Sequence, residues 1–93
     1  MTSMESRKVV AHGELKLTLY HRDGCHLCED MRDALGEYLE SFEFQLIEVD
    51  IDRDAALKTR YGQRIPLLLD GQERCLSEYY LDPKRLLSYL QGR

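Results

Sequence analysis

The chain has 93 residues, of which 43% are hydrophobic and 32% are charged, and its formal net charge at pH 7 is −4. This length and composition are typical of one small globular domain. The negative charge and the scattered Lys and Arg residues argue against nucleic-acid binding, which depends on neutralising phosphates with basic side chains. The longest apolar run, 65–69, is far shorter than the roughly 20 residues of a membrane-spanning helix, so we also expect no membrane partner.

Cysteine content and the N-terminal segment bear on the cellular compartment. The three cysteines are an odd number, which fits a reducing compartment better than a secreted fold held by disulfides. Residues 1–14 show no sustained periodicity, and Val9-Val10 is too short for the apolar core of a signal peptide. We therefore expect a cytoplasmic protein with a flexible tail over 1–14 and one domain over 15–93.

The first half of the domain is predicted to form a strand, a helix and a second strand. Leu15, Leu17 and Leu19 alternate with polar residues, which indicates a strand, and the turn-forming stretch 21–24 follows it. Apolar residues at three- and four-residue spacing then predict an amphipathic helix: Leu27, Met31, Ala34, Leu35, Tyr38, Leu39 and Phe42. Residues 44–51 are apolar on both faces, which predicts an interior strand.

Two further helices are predicted from their end signals. Asp52 is expected to cap a short helix that Gly62 ends. Asp82-Pro83 is a typical cap and first helical residue, and apolar residues follow it up to Leu90.

Between these helices the sequence predicts a β-hairpin. Residues 66–69 and 72–75 are expected to pair through a two-residue Asp70-Gly71 turn, because glycine accepts positive φ without penalty. That register would place Cys75 opposite Pro66, which makes Cys75 a candidate auxiliary thiol if Pro66 touches the active site, although a strand cysteine more often packs as a small hydrophobic residue. Tyr79 and Tyr80, which follow the hairpin, are interpreted as core and rim packing.

The resulting order is strand, helix, strand, helix, strand, strand, helix. A strand-helix-strand unit forms a right-handed parallel crossover, and the hairpin adds an antiparallel edge. We therefore predict an α/β fold with a mixed four-stranded sheet and helices on both faces.

The first predicted helix begins with Cys25-His26-Leu27-Cys28. Backbone N–H groups at a helix start lack partners, and the helix dipole is positive there, so a thiolate on Cys25 would be stabilised. Cys25 is the candidate nucleophile, and Cys28, one turn later and more buried, is the candidate resolving thiol of a redox disulfide. His26 is a candidate source of positive charge, whereas Asp23 opposes thiolate formation.

Two other interpretations of the cysteine pair stay open. Cys25 and Cys28 with His21 or His26 are candidate zinc ligands, but structural zinc takes four protein ligands and the sequence has no second pair at ligand spacing. Alternatively, the domain is an interaction module with vestigial cysteines, in which case no thiol should be selectively reactive.

The chain resembles the thioredoxin-fold superfamily, in particular its glutaredoxin-like branch, over about residues 15–90. Three features carry the resemblance: the run from Leu17 to Cys28, the Val49-Asp50-Ile51-Asp52 strand end, and Ile65-Pro66 before the predicted hairpin. The resemblance implies a thioredoxin-like fold and a cis peptide bond between Ile65 and Pro66, packed against the cysteine pair.

The resemblance also implies a substrate site. The backbone of Ile65 would dock an extended substrate beside Cys25, and Arg22 takes the position where glutaredoxins place a lysine near the glutathione carboxylate. Where glutaredoxins have a glycine pair and an acidic residue that contact glutathione, this chain has Cys75-Leu76-Ser77-Glu78, with no glycines for a close backbone approach, so glutathione is a doubtful substrate.

These observations predict a glutaredoxin-like thiol–disulfide oxidoreductase that serves cell redox homeostasis. The catalytic residues would be Cys25 and Cys28, with His26 and Arg22 modulating and Ile65 and Pro66 binding substrate. We expect no cofactor and no metal beyond the dithiol itself. The expected partner is a disulfide-containing protein or a low-molecular-weight thiol, and the protein is expected to be a monomer.

Overall fold

A computed structural model describes residues 15–91, so the predicted N-terminal tail lies outside the described residues. In chain order the elements are β1 (Leu15–His21), α1 (His26–Leu39), β2 (Phe44–Asp50), a 3-10 helix (Ile51–Arg53), α2 (Ala55–Tyr61), β3 (Leu67–Leu69), β4 (Cys75–Glu78) and α3 (Pro83–Leu90). This order confirms the predicted arrangement of strands and helices. Within residues 15–91, no helix has the length and apolar character needed to cross a membrane.

The four strands form one mixed sheet in the order β2-β1-β3-β4. β1 and β2 are parallel, from Leu15 opposite Phe44 to His21 opposite Asp50. β3 is antiparallel to both β1 and β4. β2 is therefore an edge strand, and the prediction that it is interior is wrong. Its side chains are at most half-buried, so its apolar residues do not require a strand on each side.

The sheet has an apolar cluster on each face. On one face, side chains of α1 and α3 pack against the sheet; the buried members are Leu17, Leu19, Met31, Leu35, Leu68, Leu76, Leu86 and Leu90. On the other face the cluster is smaller and includes α2; its buried members are Ile51, Tyr61, Leu67 and Leu69. β1 and β3, the two interior strands, contribute most of the fully buried sheet residues.

The hairpin between β3 and β4 has a five-residue loop, 70–74, and the predicted two-residue turn is wrong. The buried Asp70 side chain organises the loop: its Oδ1 accepts the N–H groups of Gln72 at 2.8 Å and Arg74 at 2.9 Å. Glu73 takes a positive φ of 65°. Asp70 can bond these amides itself, so the chain does not need glycine to close the turn. Leu69 therefore pairs with Cys75, and the predicted register is wrong as well.

A β-bulge then changes which face the β4 side chains occupy. Leu68 pairs with Ser77 and Leu69 with Cys75, so Leu76 is an extra residue in β4. Because side chains alternate along a regular strand, residues three apart normally point to opposite faces. The bulge cancels one alternation, and Cys75 and Glu78 both lie on the α2 side of the sheet.

The cap of α2 also differs from the prediction. Asp54, not Asp52, caps this helix: its Oδ1 accepts the N–H groups of Ala56 at 2.8 Å and Leu57 at 3.3 Å. Asp52 lies in the 3-10 helix that precedes α2. The predicted cap of α3 is confirmed, because Asp82 Oδ1 accepts the N–H of Arg85 at 3.2 Å and Pro83 is the first helical residue.

Candidate active site

Cys25 occupies the cap position at the start of α1. Its backbone is extended, with φ −92° and ψ 108°, and its Sγ accepts the N–H of Cys28 at 3.1 Å. A thiolate at this position would receive that hydrogen bond and lie at the positive end of the helix dipole. Both effects favour the charged form of sulfur over the thiol.

Cys28 lies one turn further along α1, and its side chain is 1% exposed. Cys25 is more exposed, which agrees with the predicted difference between the two thiols. The structure joins their sulfur atoms in a disulfide, with 5.1 Å between the Cα atoms. One sulfur of the pair is therefore open to a substrate, while the other is protected and close enough to exchange with it.

Pro66 lies at the same end of the sheet as the cysteine pair. Tyr20 pairs with Leu67, so the end of β1 and the start of β3 are adjacent, and Cys25 follows β1 by four residues. The Ile65–Pro66 peptide bond is cis, as the resemblance implied. Pro66 is buried, and its carbonyl oxygen accepts the N–H of Tyr79 at 2.8 Å.

Arg22 forms an ion pair that the sequence analysis missed. Its Nη2 donates to Asp52 Oδ1 at 2.7 Å and its Nε to Asp52 Oδ2 at 3.3 Å. The hydrogen bond from Arg22 lowers the pKa of the Asp52 carboxyl, and Asp52 raises the pKa of the guanidinium. A substrate carboxylate that approached Arg22 would therefore compete with Asp52. The parallel register of β1 and β2 was the signal that could have revealed this pair, because it places residue 22 beside the residues after Asp50.

A second ion pair, between Arg64 and Glu78, flanks the cis peptide on the α2 side. Glu78 is the main cause of the raised pKa of Arg64, and Cys75 adds to it. Tyr79 follows directly, with a positive φ of 66°, and its hydroxyl donates to the carbonyl oxygen of Gln63. These contacts tie the segment before Pro66 to the end of β4. Sequence reasoning missed them because the bulge that turns Glu78 toward Arg64 has no local signature.

The other predicted residues occupy less central positions. His26 is exposed at the first position of α1 and, within the described part of the chain, bonds neither sulfur. Tyr79 is 41% exposed and Tyr80 is 72% exposed, so neither is a core residue, and that part of the interpretation is wrong. Across residues 15–91, no group of three or more His, Cys, Asp or Glu side chains is placed to hold a metal ion. The structure therefore does not bring His21 or His26 together with the two cysteines as a ligand set.

Cys75 is a free, half-buried cysteine that lies opposite Leu69. Leu69 is three residues beyond Pro66, which corresponds to about 10 Å along a strand. The expected place of Cys75 opposite Pro66 is therefore wrong, and with it the case for Cys75 as an auxiliary thiol of the cysteine pair. It packs instead against the smaller apolar cluster, as a small hydrophobic residue would.

A four-stranded mixed sheet with a Cys-x-x-Cys helix start and a cis-proline at the same end of the sheet defines a thioredoxin-like protein. The fold agrees with the thioredoxin of Trichomonas vaginalis, which is 23% identical, covers 85% of this chain and 78% of its own, and has a TM-score of 0.60. The model of the glutaredoxin-like domain family DUF836 matches residues 16–91. The chain belongs to this family.

Several relatives are similar over most of the chain. Protein Rv0508 of Mycobacterium tuberculosis is 31% identical over 77 residues, which are 76% of this chain and 77% of the relative. The solution structure of protein Ne2328 from Nitrosomonas europaea is 33% identical, covers 87% of this chain and 96% of its own, and has a TM-score of 0.75. Protein XcR50 from X. campestris is 39% identical, with coverages of 83% and 97% and a TM-score of 0.67.

Proposed function

We propose that the protein is a thiol–disulfide oxidoreductase in which Cys25 attacks and Cys28 resolves. The observation that carries the proposal is the position of Cys25, whose sulfur caps α1, accepts the Cys28 N–H and is paired with the buried Cys28 sulfur. A fold with a cis-proline at the same end of the sheet supports it. Structural packing alone would not require the more exposed sulfur at the one helix position that stabilises a thiolate.

The reaction transfers two electrons from the dithiol to a substrate disulfide. The Cys25 thiolate attacks one substrate sulfur, a mixed disulfide forms, and the other substrate sulfur leaves as a thiolate that takes up a proton. Cys28 then loses its proton and attacks the Cys25 sulfur, which releases the second substrate thiol and leaves the Cys25–Cys28 disulfide. A reduced thiol from another molecule returns the pair to the dithiol state by the reverse exchange.

The substrate we propose is a disulfide in an extended polypeptide segment rather than glutathione. The backbone before Pro66, at the half-buried Ile65, would accept such a segment as an added strand. The candidate carboxylate-binding residue, Arg22, is already paired with Asp52. Residues 75–78 carry no glycine for a close backbone approach. We place this activity in the cytoplasm, where the odd number of cysteines fits the reducing environment.

The deciding experiment is the pH dependence of alkylation of the reduced protein, with mass spectrometry assigning a rate to each cysteine. We expect Cys25 alone to react fast, with an apparent pKa well below the unperturbed thiol value of about 8.5. Cys75 is the internal reference, because it lies in the same molecule but not at a helix start. Equal titration of all three thiols near the unperturbed value would contradict the proposal and favour an interaction module.

A further inference from the structure

A cavity of about 400 Å³ lies between the 70–74 loop and α3, at the β4 edge of the sheet. Arg74, Lys84, Arg85, Ser88 and Tyr89 contribute to its lining. Residues 84 and 88, and likewise 85 and 89, are four apart, so one face of α3 presents them in two adjacent turns. The cavity is separate from the cysteine pair, because the Tyr89 hydroxyl contacts Lys16 at the start of β1, whereas the cysteines follow the other end of β1.

One wall of the cavity is held by hydrogen bonds. The Tyr89 hydroxyl donates to the carbonyl oxygen of Lys16 at 3.1 Å and accepts the N–H of Gly71 at 3.1 Å. A Cβ on residue 71 would lie 2.9 Å from this hydroxyl, so the loop approaches α3 as closely as it does because residue 71 is glycine. The 70–74 loop is thereby fixed to both α3 and β1, and the cavity is largely formed before any ligand binds.

The cavity is positively charged in a protein whose net charge is negative. Its one carboxylate, Asp70, is 5% exposed and is used by the loop, since it accepts two backbone N–H groups and the Arg74 Nε at 3.3 Å. The negative charge of Asp70 compensates the positive charge of Arg74, whose guanidinium group has further N–H groups that can donate to a ligand. Lys84 and Arg85 form no ion pair with any carboxylate of residues 15–91. The lining therefore carries a net charge of about +2.

Two of these cations, Lys84 and Arg85, lie in the first turn of α3, where the helix dipole makes positive side chains unfavourable. Lys84 and Arg85 are the second and third residues of α3, and the first turn of this helix has no acidic residue. Positive side chains at a helix start interact unfavourably with the helix dipole. A bound anion would remove this repulsion and would itself interact favourably with the cations. The acidic cap of this helix, Asp82, accepts the backbone N–H of Arg85, but among residues 15–91 it forms no ion pair with the side chain of Lys84 or Arg85. Both side chains are therefore available to an added anion.

We propose that this cavity binds a small phosphate monoester. A phosphate monoester carries about −1.5 to −2 charges at pH 7, which matches the charge of the lining. Two arginine guanidinium groups can each donate two parallel hydrogen bonds to phosphate oxygens, Lys84 adds a third cation, and the Ser88 hydroxyl is a further donor. The remaining volume admits a small organic group beyond the phosphate.

The test is a titration of isotope-labelled protein, followed by amide NMR shifts, at pH 7 and constant ionic strength. The probes are inorganic phosphate and adenosine 5′-monophosphate. Both are expected to shift amides of Arg74 and Ser88 in a saturable way. Tighter binding of the nucleotide would show that the cavity also contacts the organic group, and equal binding would show that phosphate alone is recognised; each supports the proposal.

Matched variants separate a site from general charge attraction. Lys84→Gln with Arg85→Gln should weaken binding by about tenfold or more, because each cation supplies a charge-assisted hydrogen bond. Arg53→Gln with Lys58→Gln removes the same charge from exposed positions outside the cavity and should leave the affinity unchanged. Equal affinity in both double variants, linear shifts without saturation, or the same shifts with chloride would overturn the proposal.

Discussion

Arg22 and Asp52 lie 30 residues apart in the sequence, yet their side chains meet beside the start of α1. The pair matters to the cysteine site because it holds both a cation and an anion near Cys25. Arg22 would stabilise a thiolate if it were unpaired, but Asp52 reduces that effect. The influences on Cys25 that the structure shows directly are its position at the start of α1 and the hydrogen bond from the Cys28 N–H.

The ionisation of Asp52 provides a direct test of this pair. The pKa of Asp52 should lie below the unperturbed value of about 3.9, because the hydrogen bond from Arg22 favours the carboxylate. In the Arg22→Gln variant it should return toward that value. Carboxyl ¹³C shifts followed over pH in both proteins measure the difference. An unchanged Asp52 pKa in the variant would show that the ion pair does not persist in solution.

The Arg22–Asp52 pair also determines the direction in which pH changes the stability of the fold. A carboxyl whose pKa is lower in the folded state stabilises the fold above its unfolded pKa, and this contribution is lost as the pH falls through the folded pKa. The wild type should therefore exceed Arg22→Gln in stability at neutral pH. Urea unfolding should show the two proteins converging at a pH below the folded pKa of Asp52.

The proposed roles of the two cysteines predict different products when each cysteine is replaced by serine and the protein meets a substrate disulfide. Cys28→Ser should let Cys25 attack but prevent its release, so a mixed disulfide with the substrate should accumulate. Cys25→Ser should form no such adduct, and Cys75→Ser should behave as the wild type does. Mass spectrometry of the protein after exposure to a peptide disulfide distinguishes these cases. An adduct on Cys75, or on Cys28 in the Cys25→Ser variant, would contradict the assignment.

At the scale of elements, periodic apolar patterns were sufficient to predict a strand and a helix, but the sequence was not sufficient to choose the helix cap among neighbouring aspartates. The alternation over 15–19 predicted β1, and the three- and four-residue spacing over 27–42 predicted α1, although the helix ends at Leu39 and does not reach Phe42. The segment 50–54 contains three aspartates, and each is a good cap. The sequence could not show that Asp54 caps α2, since the competing use of Asp52 depends on Arg22, which is distant in the chain. Asp70 likewise organises its loop from a buried position that only the packed structure reveals.

The correction at α2 leads to a stability prediction. Asp54→Ala should lower the free energy of unfolding by about 1 kcal/mol, because it leaves the N–H groups of Ala56 and Leu57 without a partner in the protein. Asp54→Asn is the matched control, since asparagine caps about as well as aspartate. Urea denaturation measures both variants. If Asp54→Asn is as destabilising as Asp54→Ala, then charge rather than capping explains the role of Asp54.

At the scale of the whole molecule, the sheet separates two apolar clusters of unequal size. Among residues 15–91, the cluster on the α1–α3 side has eight buried hydrophobic residues and the cluster on the α2 side has four. A chain of this length buries only about 60–65% of the surface that its unfolded form exposes, so each cluster is needed. The two ion pairs at the cysteine site lie on exposed or half-exposed side chains and contribute little by comparison. The position of Cys25 and Pro66 therefore depends on how well the larger cluster packs.

Two leucines of the same domain test this dependence. Leu19 is fully buried in β1 within the larger cluster, whereas Leu39, at the end of α1, is 42% exposed. Leu19→Ala should lower the free energy of unfolding by about 2–5 kcal/mol, a large part of the roughly 5–15 kcal/mol typical of a small domain. Leu39→Ala removes the same atoms from a surface position and should cost about 1 kcal/mol or less. Urea denaturation with the oxidised protein measures both, so that the disulfide state is the same. Similar losses in the two variants would show that β1 does not lie at the centre of the core.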